Sequence, residues 1–136
     1  MHCSGCAADG RRGTGERGAT VVEFLGVAIL AITMLLAVIQ LALFVWARNV
    51  AFSAAHEGAR LASEAGQPIA AGAQRTRLLL HDGLGRSGAA FVVDAVEDGD
   101  HVVVVARGPA PAIVPFLPHF TIAARAAAFD EDRVFG

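Results

Sequence analysis

A continuous apolar segment near the N-terminus constrains this chain more than any other feature. From Phe24 to Ala47 the sequence runs for 24 residues without a formally charged side chain. An α-helix rises about 1.5 Å per residue, so as a helix the segment is about 36 Å long and exceeds the ~30 Å hydrocarbon core of a bilayer. It is also longer than the apolar region of a secretory signal peptide, which is about 7–15 residues. We therefore expect one membrane-spanning helix.

The same helix is expected to continue beyond the membrane. Residues 48–65 contain no proline, and their apolar and charged side chains recur at helical spacing. Gly66, followed by Pro68, supplies the residues that commonly end a helix. The sequence therefore predicts one helix from about Thr20 to Ala65.

The remainder, residues 66–136, is expected to form a small domain. Gln74–Leu84 has the apolar spacing of a second helix, whereas Phe91–Glu97 and His101–Arg107 are valine-rich and of strand length. The intervening Asp98–Asp100 has turn chemistry, which predicts a β-hairpin.

The last part of the chain contains a proline-rich segment and a further apolar alternation. Gly108–Pro118 has four prolines and is not expected to form a helix or a central strand. Phe120–Arg125 alternates as a third strand would, although its alanine-rich end also suits a helix. Asp130–Asp132 is expected to be solvated. The fold class predicted is α+β, a long transmembrane helix extended into a protruding helix with a small antiparallel sheet packed on it.

The polar leader, residues 1–18, is expected to be disordered. Cys3 and Cys6 flank a Ser-Gly pair beside His2, but no second cysteine pair completes a zinc site. A membrane-tethered metal or redox module using these cysteines is one alternative. Otherwise the sequence indicates no cofactor and no metal.

Polar residues in and around the apolar segment bear on its membrane contacts. Gln40 is either an interhelical hydrogen-bonding residue or simply tolerated there. Trp46 and Arg48 suit anchoring at the membrane–water interface. Within about 20 residues of the segment, three arginines precede it and two follow it, a slight bias towards a cytoplasmic N-terminus; these are Arg11, Arg12 and Arg17, then Arg48 and Arg60.

No catalytic constellation is apparent. There is no P-loop, no dinucleotide fingerprint and no Ser-His-Asp order, and the histidines lack metal-ligand spacing. A net charge of −2 gives no general attraction to nucleic acid. The sequence predicts a protein that is not an enzyme.

Two motifs carry a resemblance to a known family. The run Gly18-Ala19-Thr20-Val21-Val22-Glu23-Phe24 resembles the processing site of type IV pilin-like proteins, apart from Thr20 in an otherwise apolar spacer. Glu57-Gly58-Ala59-Arg60 resembles the Glu-Gly-Ala-Arg signature that follows the membrane helix in the TadE-like family. Valine-rich strands flanking a proline-rich segment are also similar to that family.

The resemblance implies a non-enzymatic minor pilin or pseudopilin of a tight-adherence pilus or related secretion system. A prepilin peptidase would cut between Gly18 and Ala19. Glu23, with Phe24 beside it, would then set the register of assembly by pairing with the new amine of a neighbouring subunit. A carboxylate within the hydrocarbon core costs about 2.5–3.5 kcal/mol or more, which such pairing would offset.

The implied organisation has four segments: a cleaved cytoplasmic leader (1–18), a transmembrane helix (19–47), its extension outside the membrane (48–65) and an extracytoplasmic α+β domain (66–136). The implied partners are the peptidase, other pilin-like subunits, the pilus or secretion platform and the lipid bilayer. The alternative is an unprocessed single-pass anchor whose outer domain binds a ligand or partner.

Overall fold

The computed structural model describes residues 15–64, 66–112 and 120–129. In chain order its elements are the helices α1 (Gly15–Ala62), α2 (Ile69–Leu84) and α3 (Arg86–Ala89), then the strands β1 (Val92–Asp98), β2 (His101–Pro109) and β3 (Thr121–Phe129). The chain divides into two compact units, Met1–Val38 and Ile39–Gly136. The predicted α+β architecture, a long apolar N-terminal helix and a small antiparallel sheet, is confirmed.

The described part of the first unit consists of α1 alone. Its apolar side chains from residue 20 onward are almost all exposed, Phe24 by 73% and Met34 by 70%. The part of α1 from Thr20 to Ala62 is long enough to cross a membrane, and its most apolar window has a mean hydropathy of 2.7 and no buried residue. Length and composition fit a single-pass membrane protein.

The ends of α1 differ from the prediction. The helix begins at Gly15, so the last residues of the predicted disordered leader are helical. Extending an existing helix needs no new nucleus, which favours this addition. It ends at Ala62 rather than Ala65, because Ser63 donates its hydroxyl to the Arg60 carbonyl at 2.8 Å and competes with the helical pattern. Residues 1–14 and 65 lie outside the described residues.

The sheet is an antiparallel meander in the order β1-β2-β3. The predicted hairpin is confirmed, with Asp98 paired to His101 and Gly99 in the left-handed region at φ 64°. In the register of the sheet, Val93 lies opposite Ala106, which lies opposite Ala124. All three residues are buried, and successive residues of a strand point to opposite sides of the sheet, so the side that these residues share is the buried face.

Other element boundaries also differ from the prediction. β3 continues to Phe129, so its alanine-rich end is a strand. The central strand β2 includes Pro109, which is tolerated because it is the last residue of the strand and needs no ladder N–H. α2 begins at Ile69 instead of Gln74, and the short helix α3 was not predicted.

The core of the second unit lies between α1, α2 and the sheet. α1 contributes a stripe of alanines, and the other elements contribute larger side chains. Small side chains on α1 bring the neighbouring backbones close to its axis. The buried cluster includes Ala47, Ala51, Ala54, Ala55 and Ala59 of α1, Leu80 and Leu84 of α2, and Val93, Val104 and Ile122 of the sheet.

Candidate functional site

The predicted processing residues lie at the start of α1. Gly18 and Ala19 are in its first two turns, and Glu23 and Phe24 follow about one turn later. Glu23 and Phe24 are both exposed. A carboxylate on the outside of an apolar helix is therefore accessible to a group from another molecule, as the register role requires.

The Glu57–Arg60 motif belongs to the second unit and is divided between two faces of α1. Gly58 and Ala59 are buried, whereas Arg60 is exposed and Glu57 is half-buried. The two inner residues contact α2 and the core, and the two outer residues pair with each other. The motif thus combines a packing function with a charged surface.

Gly58 lies where α1 crosses α2. A Cβ placed on Gly58 would collide with the hydroxyl of Thr76 and would lie 2.6 Å from the carbonyl oxygen of Gly72. A Cβ on Gly72 would in turn lie 2.6 Å from the Cβ of Ala62. Both positions therefore require glycine for the two helix backbones to approach this closely.

Thr76 links the two helices by its side chain. It is fully buried, and its hydroxyl lies 2.9 Å from the Gly72 carbonyl oxygen and 3.2 Å from that of Ala54. One hydroxyl proton can be shared between two acceptors, so both carbonyl oxygens accept a hydrogen bond from Thr76. The sequence analysis missed Thr76, although a threonine on the apolar side of a predicted helix is a signal for such a bond.

The outer residues of the motif form a small ion cluster. Arg60 contacts Glu57 at 3.1 Å and Glu64 at 2.9 Å. The hydrogen bond and positive charge of Arg60 lower the pKa of Glu57, and the same contacts raise the pKa of Arg60. Because these groups are exposed, the cluster contributes little to folding.

A second set of contacts involves the C-terminal end of the apolar segment. The side-chain amide of Gln40 donates to the carbonyl oxygen of Pro111 at 2.9 Å. One turn further along α1, the ring of Phe44 meets that of Phe120 edge to face, with centroids 6.2 Å apart. Gln40 therefore bonds to the proline-rich segment of its own chain, which neither alternative in the sequence analysis anticipated.

Candidate metal ligands in the part of the chain that the structure describes are not clustered. Among the residues that the structure describes, no group of three or more His, Cys, Asp or Glu side chains could hold a metal ion. Cys3 and Cys6, the basis of the metal or redox alternative, lie outside the described residues.

The structure defines a class of protein: one apolar helix of membrane-spanning length, continued by a small α+β unit. Within that class, a family model described as TadE-like protein matches residues 18–60. This match confirms the predicted resemblance over that segment, which extends from Gly18 to Arg60 and so contains both motifs. The similarity shown is to the TadE-like family, over this segment. Comparisons with curated proteins and with solved structures found no match.

Proposed function

We propose that this chain is a non-enzymatic minor pilin or pseudopilin of a tight-adherence pilus or a related secretion system. The observation that carries the proposal is the match to the TadE-like family, which starts at Gly18, the residue before the predicted cleavage point. The exposed apolar surface of α1 supports it, because such a surface needs lipid or other helices to cover it.

The proposed processing step is hydrolysis of the Gly18–Ala19 peptide bond by a prepilin peptidase. Water adds across the bond, Gly18 keeps the new carboxylate, and Ala19 becomes the N-terminus with a free amine. Glycine lacks a Cβ and leaves the bond uncrowded for the peptidase. In this proposal the leader, residues 1–18, is absent from the mature protein.

Glu23 acts after cleavage, during assembly. It lies four residues beyond Ala19, about 6 Å along a helix. In a bundle of apolar helices the amine of Ala19 from one subunit pairs with Glu23 of its neighbour, since an unpaired carboxylate is costly in that environment. The pairing fixes the axial offset between adjacent subunits, and Phe24 packs beside it.

The proposed topology places the N-terminus in the cytoplasm, residues 19–47 in the membrane and the α+β domain outside. The arginine bias supports this direction, and the cytoplasmic active site of the proposed peptidase requires it. Protease added to intact spheroplasts should digest residues 49–136. Complete protection of these residues would contradict the topology.

Two substitutions separate processing from assembly. Gly18→Leu should block the peptidase and leave a chain that is longer by the leader. Glu23→Ala does not touch the cleaved bond, so the protein should have the mature mass and remain in the membrane, but enter filaments or complexes poorly. Glu16→Ala is the matched control, because the leader that contains it is removed. Intact mass and in-cell cross-linking in the native host measure both steps.

The alternative is an unprocessed anchor with an extracytoplasmic binding domain. The observation favouring it is the outer face of the sheet, where Val92, Val96 and Phe129 are each more than half exposed. If Gly18→Leu and the unsubstituted chain have the same mass, with the leader retained in both, the anchor becomes the better account.

A further inference from the structure

We propose that the end of the sheet formed by Pro109–Pro111 and Phe120, here called the proline end, contacts the lipid of the outer leaflet. The inference goes beyond the proposed function and rests on its membrane insertion. In this view the small domain is held against the bilayer rather than carried at the tip of a protruding helix.

The first argument is the level at which the proline end meets α1. A ~30 Å hydrocarbon core takes about 20 helical residues, and counted from Phe24, just after Glu23, these end at Leu43. Gln40, which bonds to Pro111, lies inside that limit, and Phe44, which contacts Phe120, lies at it. The headgroup zone adds about 5–7 Å on each side, so the contacts stay within the membrane even if the helix shifts by one turn.

The second argument is the polarity of the sheet along its length. From Gly108 to Ala124 the sequence has no formally charged residue. The opposite end of the sheet, where β1 turns into β2 and β3 finishes, carries Glu97, Asp98 and Asp100. The proline end, whose nearest charged residue in the sheet is Arg107, is the one that contacts the apolar part of α1, as expected for a domain resting on lipid.

The third argument is hydrogen bonding. Backbone groups facing lipid must find partners within the protein. Pro109 and Pro111 have no N–H to satisfy, and the N–H of Ala110 donates to the Phe120 carbonyl at 2.8 Å. The carbonyl of Pro111 accepts from Gln40. These bonds pair the N–H of Ala110 and the carbonyls of Pro111 and Phe120, which a nonpolar environment would otherwise penalise, and they explain a glutamine within an apolar segment.

Site-specific tryptophan quenching tests the contact. Trp46 is the one tryptophan of the chain, so Trp46→Phe gives a silent background. In that background we compare Phe120→Trp, one residue before β3, with Phe129→Trp, at the last residue of β3; the two positions are about 30 Å apart along the strand. Ala112→Trp, an exposed position near the proline end, is a second reporter that leaves the Phe44 contact intact. The full chain is reconstituted in phosphatidylethanolamine–phosphatidylglycerol vesicles with brominated acyl chains.

The proposal predicts strong quenching at positions 120 and 112 and weak quenching at 129, a difference of at least about threefold, because bromine quenches only at short range and the ends are far apart. Equal quenching at positions 120 and 129, or none at 120 and 112, would overturn it. Leu36→Trp reports membrane insertion separately. If the tryptophan at position 36 is quenched while those at positions 120 and 112 are not, the proposed lipid contact is wrong and the proposed function stands. If it is not quenched, the membrane insertion on which both depend is wrong.

Discussion

Thr76 in α2 directs its hydroxyl at the carbonyl oxygen of Ala54 in α1, 3.2 Å away. The bond lies beside Gly58, the glycine of the Glu-Gly-Ala-Arg motif, where the two helices pack too closely to admit a Cβ. A side chain at Gly58 would displace Thr76 and separate the helices. The motif's glycine is therefore explained by packing within the chain, without a partner protein.

Gly58→Ala is expected to destabilise the second unit by about 1–3 kcal/mol, the usual cost of overpacking a close contact. Gly26→Ala is the matched control, because nothing lies within 4 Å of a Cβ there and alanine is the better helix former. Urea unfolding of the detergent-solubilised chain, followed by Trp46 fluorescence, measures both. Equal stability of the two variants would show that the crossing tolerates a side chain.

Thr76→Val should cost about 1 kcal/mol, because it keeps the shape of the side chain but removes the buried donor. Thr76→Ser keeps the hydroxyl and loses a methyl group. If the hydrogen bond is what matters, the amides at the helix crossing should stay protected from exchange in Thr76→Ser and should lose protection in Thr76→Val. The reverse order would mean that the methyl group, not the hydroxyl, holds the crossing.

The ion cluster predicts a pH dependence. Arg60 lowers the pKa of Glu57, so the pairing stabilises the fold above the ordinary glutamate pKa and is lost as pH falls through the lowered value. Arg60→Met should therefore be slightly less stable than the unsubstituted chain at about pH 7, and the gap should close towards about pH 3. Arg86→Met, at an exposed arginine with no ion pair among the described residues, is the control and should show no such gap. A gap that persists in acid would rule out the pairing as its cause.

Membrane retention should depend on the apolar segment. Leu35→Arg places a charge among exposed apolar side chains of α1 and costs about 3 kcal/mol on insertion scales. Leu78→Arg makes the same change at an exposed leucine of α2 and should leave localisation unchanged. Membrane fractionation of the two variants is the measurement. Equal retention would mean that the segment is not the anchor.

The sequence predicted most of the fold because its patterns are local. The charge-free run before Arg48 predicts a long helix, and the turn at Gly99 predicts a hairpin. The helix crossing at Gly58 and the contact of Gln40 with Pro111 were not predictable in this way. They join residues 14–71 positions apart, and the pattern of one element does not show which residue of another it meets.

The intact mass of the protein isolated from its native host, with its peptidase present, tests the central claim most directly. The account predicts a chain that begins at Ala19 and lacks residues 1–18. A chain that retains the leader and begins at Met1 would contradict processing, and with it the pilin-like function.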